Sequence, residues 1–508
     1  MQGISPTLIL AIVVAYFFFL MLISHITSRR SSNDDFFIGS RQSPWYIVAF
    51  GMIGATLSGV TFISVPGWVE GSQFSYMQMV IGYFFGYAVI AFVLMPMYYK
   101  LNLTSIYTYL EARFGFFSYK TGAAYFLLSR TIGASFRLFL VAIVLQSFLM
   151  DALGVPFWAT ILLTIGLIWI YTFRGGIKTI VWTDTLQTAS MLVAVILTIF
   201  YITRSLDLSG MEIVGIIGDS DYSRTWFFSG GWSDSRNFFK QFFAGMFMAI
   251  VMTGLDQDMM QKNLSCRNIK EAQKNMMTFS TILIFANLLF LSLGVLLYIY
   301  ATQNGIEMPT RLVGGESRPA SDLLYPTIAL NHLSPTVGVV FFVGLIAAAY
   351  SSADSALTAL TTSFCIDFLN FEKSDRSEVS KRRTRLVVHL GVSGVLFLMI
   401  MIFWYINDEA VIAALFKIAG YTYGPLLGLY SFGFFVDRPV RDSWVPWICL
   451  ASPILSYFID SYSQALLWGY QFGFELLILN GLITFVGLWL VSHRSKISKP
   501  SLLFKTRI

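Results

Sequence analysis

The stretch Ala347-Ala-Ala-Tyr-Ser-Ser-Ala-Asp-Ser-Ala-Leu357 lies inside an apolar run from about Pro335 to Leu369, long enough to cross a bilayer. It carries a carboxylate, Asp354, and three serines, with no Lys or Arg beside them. A charge at mid-membrane costs at least ~2.5–3.5 kcal/mol on insertion scales, so it marks function. On a helix turning about 100° per residue, Ser351, Asp354, Ser355, Thr358 and Thr362 fall on one stripe, with Ser352 at its shoulder. Hydroxyls alone would serve interhelical hydrogen bonding. The acid asks for a cation or a proton.

The surrounding chain is of one kind. Its 508 residues are 56% hydrophobic and 12% charged, about half the charge of a soluble protein. The missing charge goes with recurrent apolar runs of roughly 20 residues, the length of a membrane-crossing helix. The pattern predicts an all-α polytopic membrane protein of about thirteen transmembrane helices, at 6–27, 45–69, 75–99, 121–149, 157–173, 178–203, 238–261, 276–301, 335–369, 386–405, 411–436, 443–462 and 474–492. The first run is too long for a signal peptide and is followed by Arg29-Arg30, so it is expected to stay as a span.

Charge placement supports this count. Most Lys and Arg fall in the segments that thirteen spans place in the cytoplasm, with the N-terminus outside and the C-terminus inside. The predicted outer loops hold only Arg204, Arg224, Arg236, Lys240, Arg311 and Arg318, while Arg130, Arg137 and Lys417 fall within spans. The net charge of +6 therefore reads as topology and not as nucleic-acid binding. Three scattered cysteines and four scattered histidines form no disulfide or transition-metal pattern.

Two consecutive units of five spans have opposite orientations in a membrane. Inverted repeats of this kind build many secondary transporters, whose sites lie where paired helices break. The second span carries Gly51, Gly54, Gly59 and Gly67; five spans later Gly245 and Gly254 precede Leu-Asp-Gln-Asp258. Glycine-interrupted, polar helices at corresponding places are expected to be those breaks. One domain is predicted over 1–508: an extra span 6–27, repeats at 45–203 and 238–436, peripheral spans 443–492, and a basic cytoplasmic tail 493–508.

A second acid, Asp184, lies in Arg174-Gly-Gly-Ile-Lys-Thr-Ile-Val-Trp-Thr-Asp-Thr-Leu-Gln187, two turns into the sixth span. Hard cations prefer carboxylate, hydroxyl and carbonyl oxygens, which Asp184, the Ser351–Ser355 stripe and a broken second span would supply. No nucleophile–base pair, phosphate loop or metal-ligand cluster competes, so no enzyme is expected.

At this point a resemblance becomes specific. Gly175–Gln187, Thr104-Ser-Ile-Tyr-Thr-Tyr-Leu-Glu-Ala-Arg-Phe-Gly115, Asp256-Gln-Asp-Met-Met-Gln-Lys262, Ala348–Ser355 and Tyr421-Thr-Tyr-Gly-Pro-Leu-Leu-Gly428 resemble the sodium:solute symporter family, in the family's order. The resemblance implies an alternating-access, sodium-coupled importer of a small polar organic solute, with a five-plus-five inverted-repeat core and broken first and sixth core helices. No cofactor is implied, only Na⁺ as the coupling ion. One sodium would be held by Gly54, Leu57, Ala348, Ser351 and Ser352. A second cation would sit at Asp184, Asp354 and Ser355, although Asp354 stands where the sialic acid transporters have serine.

For substrate, the resemblance points to Thr56, Ser58, Thr61, Phe74 and Gln78. It adds Arg130 or Arg137 for a carboxylate, and Asp256-Gln257 where sugar carriers place Asn-Gln. The expected partners are the solute, Na⁺ and the lipid bilayer of a cell membrane, with no nucleic acid. Proton coupling through Asp184 and Asp354 is the alternative; an ion channel or a membrane sensor fits the clustered polar residues less well.

Overall fold

Long apolar runs leave a chain in lipid one economical way to satisfy its backbone, the helix. The computed structural model describes residues 6–28, 41–313, 316–371, 374, 377–406 and 411–493, and it is helical almost throughout. The predicted tail lies, past His493, outside the described residues. The helices that position the site are α1 (Pro6–Ser28), α2 (Trp45–Gly59), α3 (Val65–Ser72), α4 (Tyr76–Val89), α5 (Phe116–Leu145), α6 (Phe157–Ser205), α7 (Phe238–Ala249) and α8 (Gln257–Leu264). They are followed by α9 (Ile269–Gln303), α10 (Pro335–Ser363), α11 (Glu378–Ile406), α12 (Val411–Thr422) and α13 (Gly424–Phe435), then α14 (Val445–Ser461) and α15 (Leu476–Val491). Between α9 and α10, β1 (Thr310–Val313) pairs antiparallel with β2 (Glu316–Pro319), Thr310 opposite Pro319.

Among the described residues, six helices are long and apolar enough to cross a membrane, or eight if each bent pair is one span. The number is below thirteen partly because successive predicted spans join into continuous helical stretches. Residues 45–69 and 75–99 are linked by the tight turn Gln73–Ser75, with Gln73 at φ 53°. Likewise α6 runs unbroken through 174–177, where a loop was expected; Gly-Gly lacks the clash with which proline stops a helix. Shorter apolar stretches lie at Leu10–Ile26, at Phe157–Ile170 in the first part of α6, and at Leu476–Val491.

Both predicted breaks are present; the first falls at Ser58, beside Gly59, and the second directly after Gly254. In the first, Ser58 adopts φ 42°, ψ 177° in the middle of an otherwise helical run, and a π-helical turn follows at Val60–Ser64. In the second, the chain bends by 66° between Gly254 and Gln257. A third bend, of 46°, separates α12 from α13 at Tyr423.

Other glycines bring helices together. A Cβ on Gly245 would stand 2.1 Å from the Met79 carbonyl oxygen, and one on Gly82 would stand 2.1 Å from that of Phe242. Thus α4 and α7 pack backbone to backbone, and neither side can yield. Gly245→Ala is expected to cost ~1–3 kcal/mol by overpacking, seen as a lower unfolding midpoint in detergent. An unchanged midpoint would mean that the two helices do not meet so closely.

At the centre, α10 packs against α2, α5 and α6, with α8 also against it and α1 against α6 and α10. The polar stripe of α10 therefore faces protein. Ser351, Ser352, Asp354, Ser355, Thr358 and Thr362 are all buried.

Candidate functional site

The site begins at the Ser58 break. A non-glycine residue at positive φ costs of order 1–3 kcal/mol and persists only where the surroundings impose it. Just before it, Gly54 lies so close to α6 that a Cβ would meet Thr188 Oγ1 at 2.2 Å. Thr188 Oγ1 donates to the carbonyls of Phe50 (3.0 Å) and Asp184 (2.8 Å), fastening α2 to α6 one turn from the acid. A helix bent at Ser58 thus runs beside Asp184 and the stripe of α10.

Asp184 is fully buried and surrounded by donors. Ser351 donates to Oδ1 at 2.7 Å, and the Lys262 ammonium donates to Oδ2 at 2.7 Å. The Gln187 amide, with its nitrogen turned inward, lies 3.2 Å from Oδ1. Asp354 turns Oδ1 back to its own helix, toward the Ser355 amide (2.5 Å) and hydroxyl (3.3 Å). Ser352 Oγ is buried without a hydrogen-bond partner, as is Thr358 Oγ1. A buried hydroxyl left unpaired is costly, so Ser352 marks a place for a ligand.

On the other side of the break lies a cavity of about 70 Å³. Of the residues expected to contact substrate, Thr56, Ser58, Thr61, Arg130 and Arg137 line it. Its remaining wall is aromatic and sulfur-rich: Tyr76, Tyr83 and Tyr87 from α4, Met248 and Met252 with Met259 from the second broken helix, and Phe416 from α12. The volume is below the 300–1,000 Å³ of typical ligand pockets, so a substrate requires the walls to part.

The other expected contacts are placed elsewhere. Phe74 is buried in the Gln73–Ser75 turn, its amide donating to the Arg224 carbonyl. Gln78 donates to the Ser75 and Arg236 carbonyls and accepts from the Phe227 amide, which ties α4 to the loop before α7. Asp256 accepts from the Tyr423 hydroxyl at 2.7 Å and caps α8 through the Asp258 amide. Gln257 accepts from the Ile106 amide and donates to the Thr104 carbonyl. The Gln78, Asp256 and Gln257 side chains are thus engaged in holding segments together.

The two intramembrane arginines divide. Arg130 forms an ion pair with Asp258. Arg137 makes no ion pair among the described residues, and its Nε has no hydrogen-bond partner although it is nine-tenths buried. Its guanidinium therefore remains available to the cavity it lines.

Three contributors were not singled out in the sequence. Lys262 reads as a cytoplasmic charge at the end of a span, yet it is 1% exposed and pairs with Asp184. Asp258 gave no hint of its arginine. The tyrosines of α4 did carry a signal: spacings of seven and four place Tyr76, Tyr83 and Tyr87 on one helix face.

A bundle of apolar helices with two breaks within apolar spans, buried acids and hydroxyls beside one, and a small, largely apolar cavity with two arginines on its wall has the architecture of a secondary transporter. The profile of the sodium:solute symporter family matches residues 36–442, and the chain belongs to that family. It is a multi-pass membrane transporter coupling a solute to sodium, not an enzyme. It is similar to the sodium/sialic acid symporter NanT of Aliivibrio fischeri, 28% identical over 80% of this chain and 79% of that one. It is also similar to the sodium/sialic acid symporter SiaT of Proteus mirabilis, 26% identical over 82% of each. A solved substrate-bound, outward-open Na⁺-coupled sialic acid symporter superposes with a TM-score of 0.78 over 95% of this chain and 97% of its own, at 23% identity, and shares the fold.

Proposed function

We propose that this symporter imports a small organic anion, a carboxylate on a largely apolar or aromatic body, by alternating access across a cell membrane. The observation that carries the reading is Arg137, a buried guanidinium with no ion-pair partner among the described residues, on the wall of a cavity rich in tyrosine, methionine and aliphatic side chains. Arginine meets a carboxylate through two parallel hydrogen bonds, and methionine and aromatic rings offer adaptable apolar surface. No Asp, Glu, Asn or Gln lines the cavity to receive a sugar's hydroxyls. The relatives named for sialic acid, iodide and monocarboxylates carry anions, which agrees.

The coupling sodium is assigned to the carbonyls of Gly54, Leu57 and Ala348 with the hydroxyls of Ser351 and Ser352, where the unpaired Ser352 Oγ fits an oxygen-ligated cation. In this reading the halves 45–203 and 238–436 are the inverted repeats that move against each other, with the N-terminus outside. Sodium at the Ser58 break stabilises the form in which Thr56, Ser58 and Thr61 face the solute. One Na⁺ crossing with one monoanion carries no net charge. A tenfold sodium gradient then supplies about 1.4 kcal/mol, enough for roughly tenfold accumulation whatever the voltage.

A thermal-shift screen of purified protein against organic acids, in sodium and in potassium, tests this. A raised unfolding midpoint is expected only where sodium and a suitable carboxylate are both present. Equal stabilisation in potassium, or stabilisation by neutral sugars alone, would defeat it.

A further inference from the structure

Asp184 has the oxygen chemistry of a cation site, and the structure shows which cation meets it. The ammonium of Lys262 stands 2.7 Å from Oδ2, while Oδ1 receives Ser351 and faces the Gln187 amide nitrogen. Lys262 and Asp184 are 1% and 0% exposed, so water does not screen them. Lysine offers three donors and no acceptor, so it saturates the oxygen it meets. A second monovalent cation on the same carboxylate would face both the ammonium's repulsion and the loss of oxygens already bonded.

The route by which Lys262 arrives is part of the evidence. Were the helix starting at Phe238 straight, residues after Gly254 would continue along its axis. The 66° bend turns Gln257–Leu264 against α10 and α6 and carries the ammonium to the acid. The second broken helix thus delivers a fixed charge beside the first. Ser351 spends its proton on Asp184, which leaves its lone pairs for an ion next to Ser352, whose own Oγ has no partner.

We propose that Lys262 is a tethered cation occupying the position at Asp184, so that this acid binds no exchangeable ion and only the neighbouring position at Ser351–Ser352 exchanges sodium. The proposal rests on the sodium-coupled reading above and narrows it to one ion per cycle. It also makes Asp184 a positioning residue, which aligns Ser351 by accepting its hydroxyl proton at Oδ1.

The test counts ions directly, with ²²Na⁺ as the probe on the purified full chain at saturating sodium and constant ionic strength. The unaltered protein and Lys262→Arg are expected to bind one ion per chain. Lys262→Ala is expected to bind two, and the double variant Asp184→Asn/Lys262→Ala one again. Two ions on the unaltered protein, or one on Lys262→Ala, overturns the proposal. If Lys262→Ala does not fold, the count on the unaltered protein still decides. Absence of any sodium binding by the unaltered protein would bring down the sodium-coupled reading itself, an outcome distinct from a wrong count.

Discussion

Ser352→Ala is expected to raise the sodium concentration for half-maximal uptake by roughly 10- to 100-fold while leaving thermal stability unchanged or slightly higher. The two halves of that expectation have one cause. Ser352 Oγ is buried and has no hydrogen-bond partner among the described residues, so its removal breaks none of their hydrogen bonds and relieves an unpaired group. A hydroxyl that binds an ion contributes about 1.5–3 kcal/mol, which is the stated range in affinity. Ser351→Ala is expected to shift sodium dependence as strongly but also to destabilise, because Asp184 loses a donor. Sodium titrations of uptake, paired with unfolding midpoints in potassium, separate the two variants. Unaltered sodium dependence in Ser352→Ala would move the ion elsewhere.

The second large effect concerns the arginines, of which the sequence made Arg130 the nearer match to a substrate-binding arginine and Arg137 the other. Arg137→Ala is expected to weaken solute binding about 100-fold or to abolish uptake, with expression and folding retained. A charge-assisted carboxylate contact is lost, and no ion pair among the described residues is broken. Arg137→Lys recovers only part, because an ammonium lacks the planar fork. Arg130→Ala behaves oppositely. It strands the buried Asp258, at a cost of ~3–5 kcal/mol, and appears as loss of folded protein. Adding Asp258→Asn to Arg130→Ala is expected to restore much of the yield. Uptake that survives Arg137→Ala but fails in the stable Arg130→Ala/Asp258→Asn protein would exchange the roles assigned to the two residues.

These contrasts mark how far residue type alone carried. Asp354 and Asp184 were legible because an acid in an apolar run is rare and costly. The cavity-facing threonines and Ser58 were legible through the family's spacing around the break. Phe74, Gln78, Asp256 and Gln257 looked equivalent to them, yet their partners are backbone groups or Tyr423, contributed by segments distant in the chain. The glycines suggested where helices stop; they also show where helices touch, and the strained residue is Ser58.

The same division holds for the whole protein. Its helical, membrane-spanning character, its polar stripe and its family were determined by the sequence alone. Each follows from local quantities: the transfer cost of successive side chains, the 100° turn per residue and the order of short motifs. Tertiary structure alone decided that Lys262 meets Asp184, that Arg130 is neutralised and that Arg137 is not. Those outcomes depend on a 66° bend and on contacts across more than seventy residues of chain, where a shift of a few ångströms changes which charges can pair.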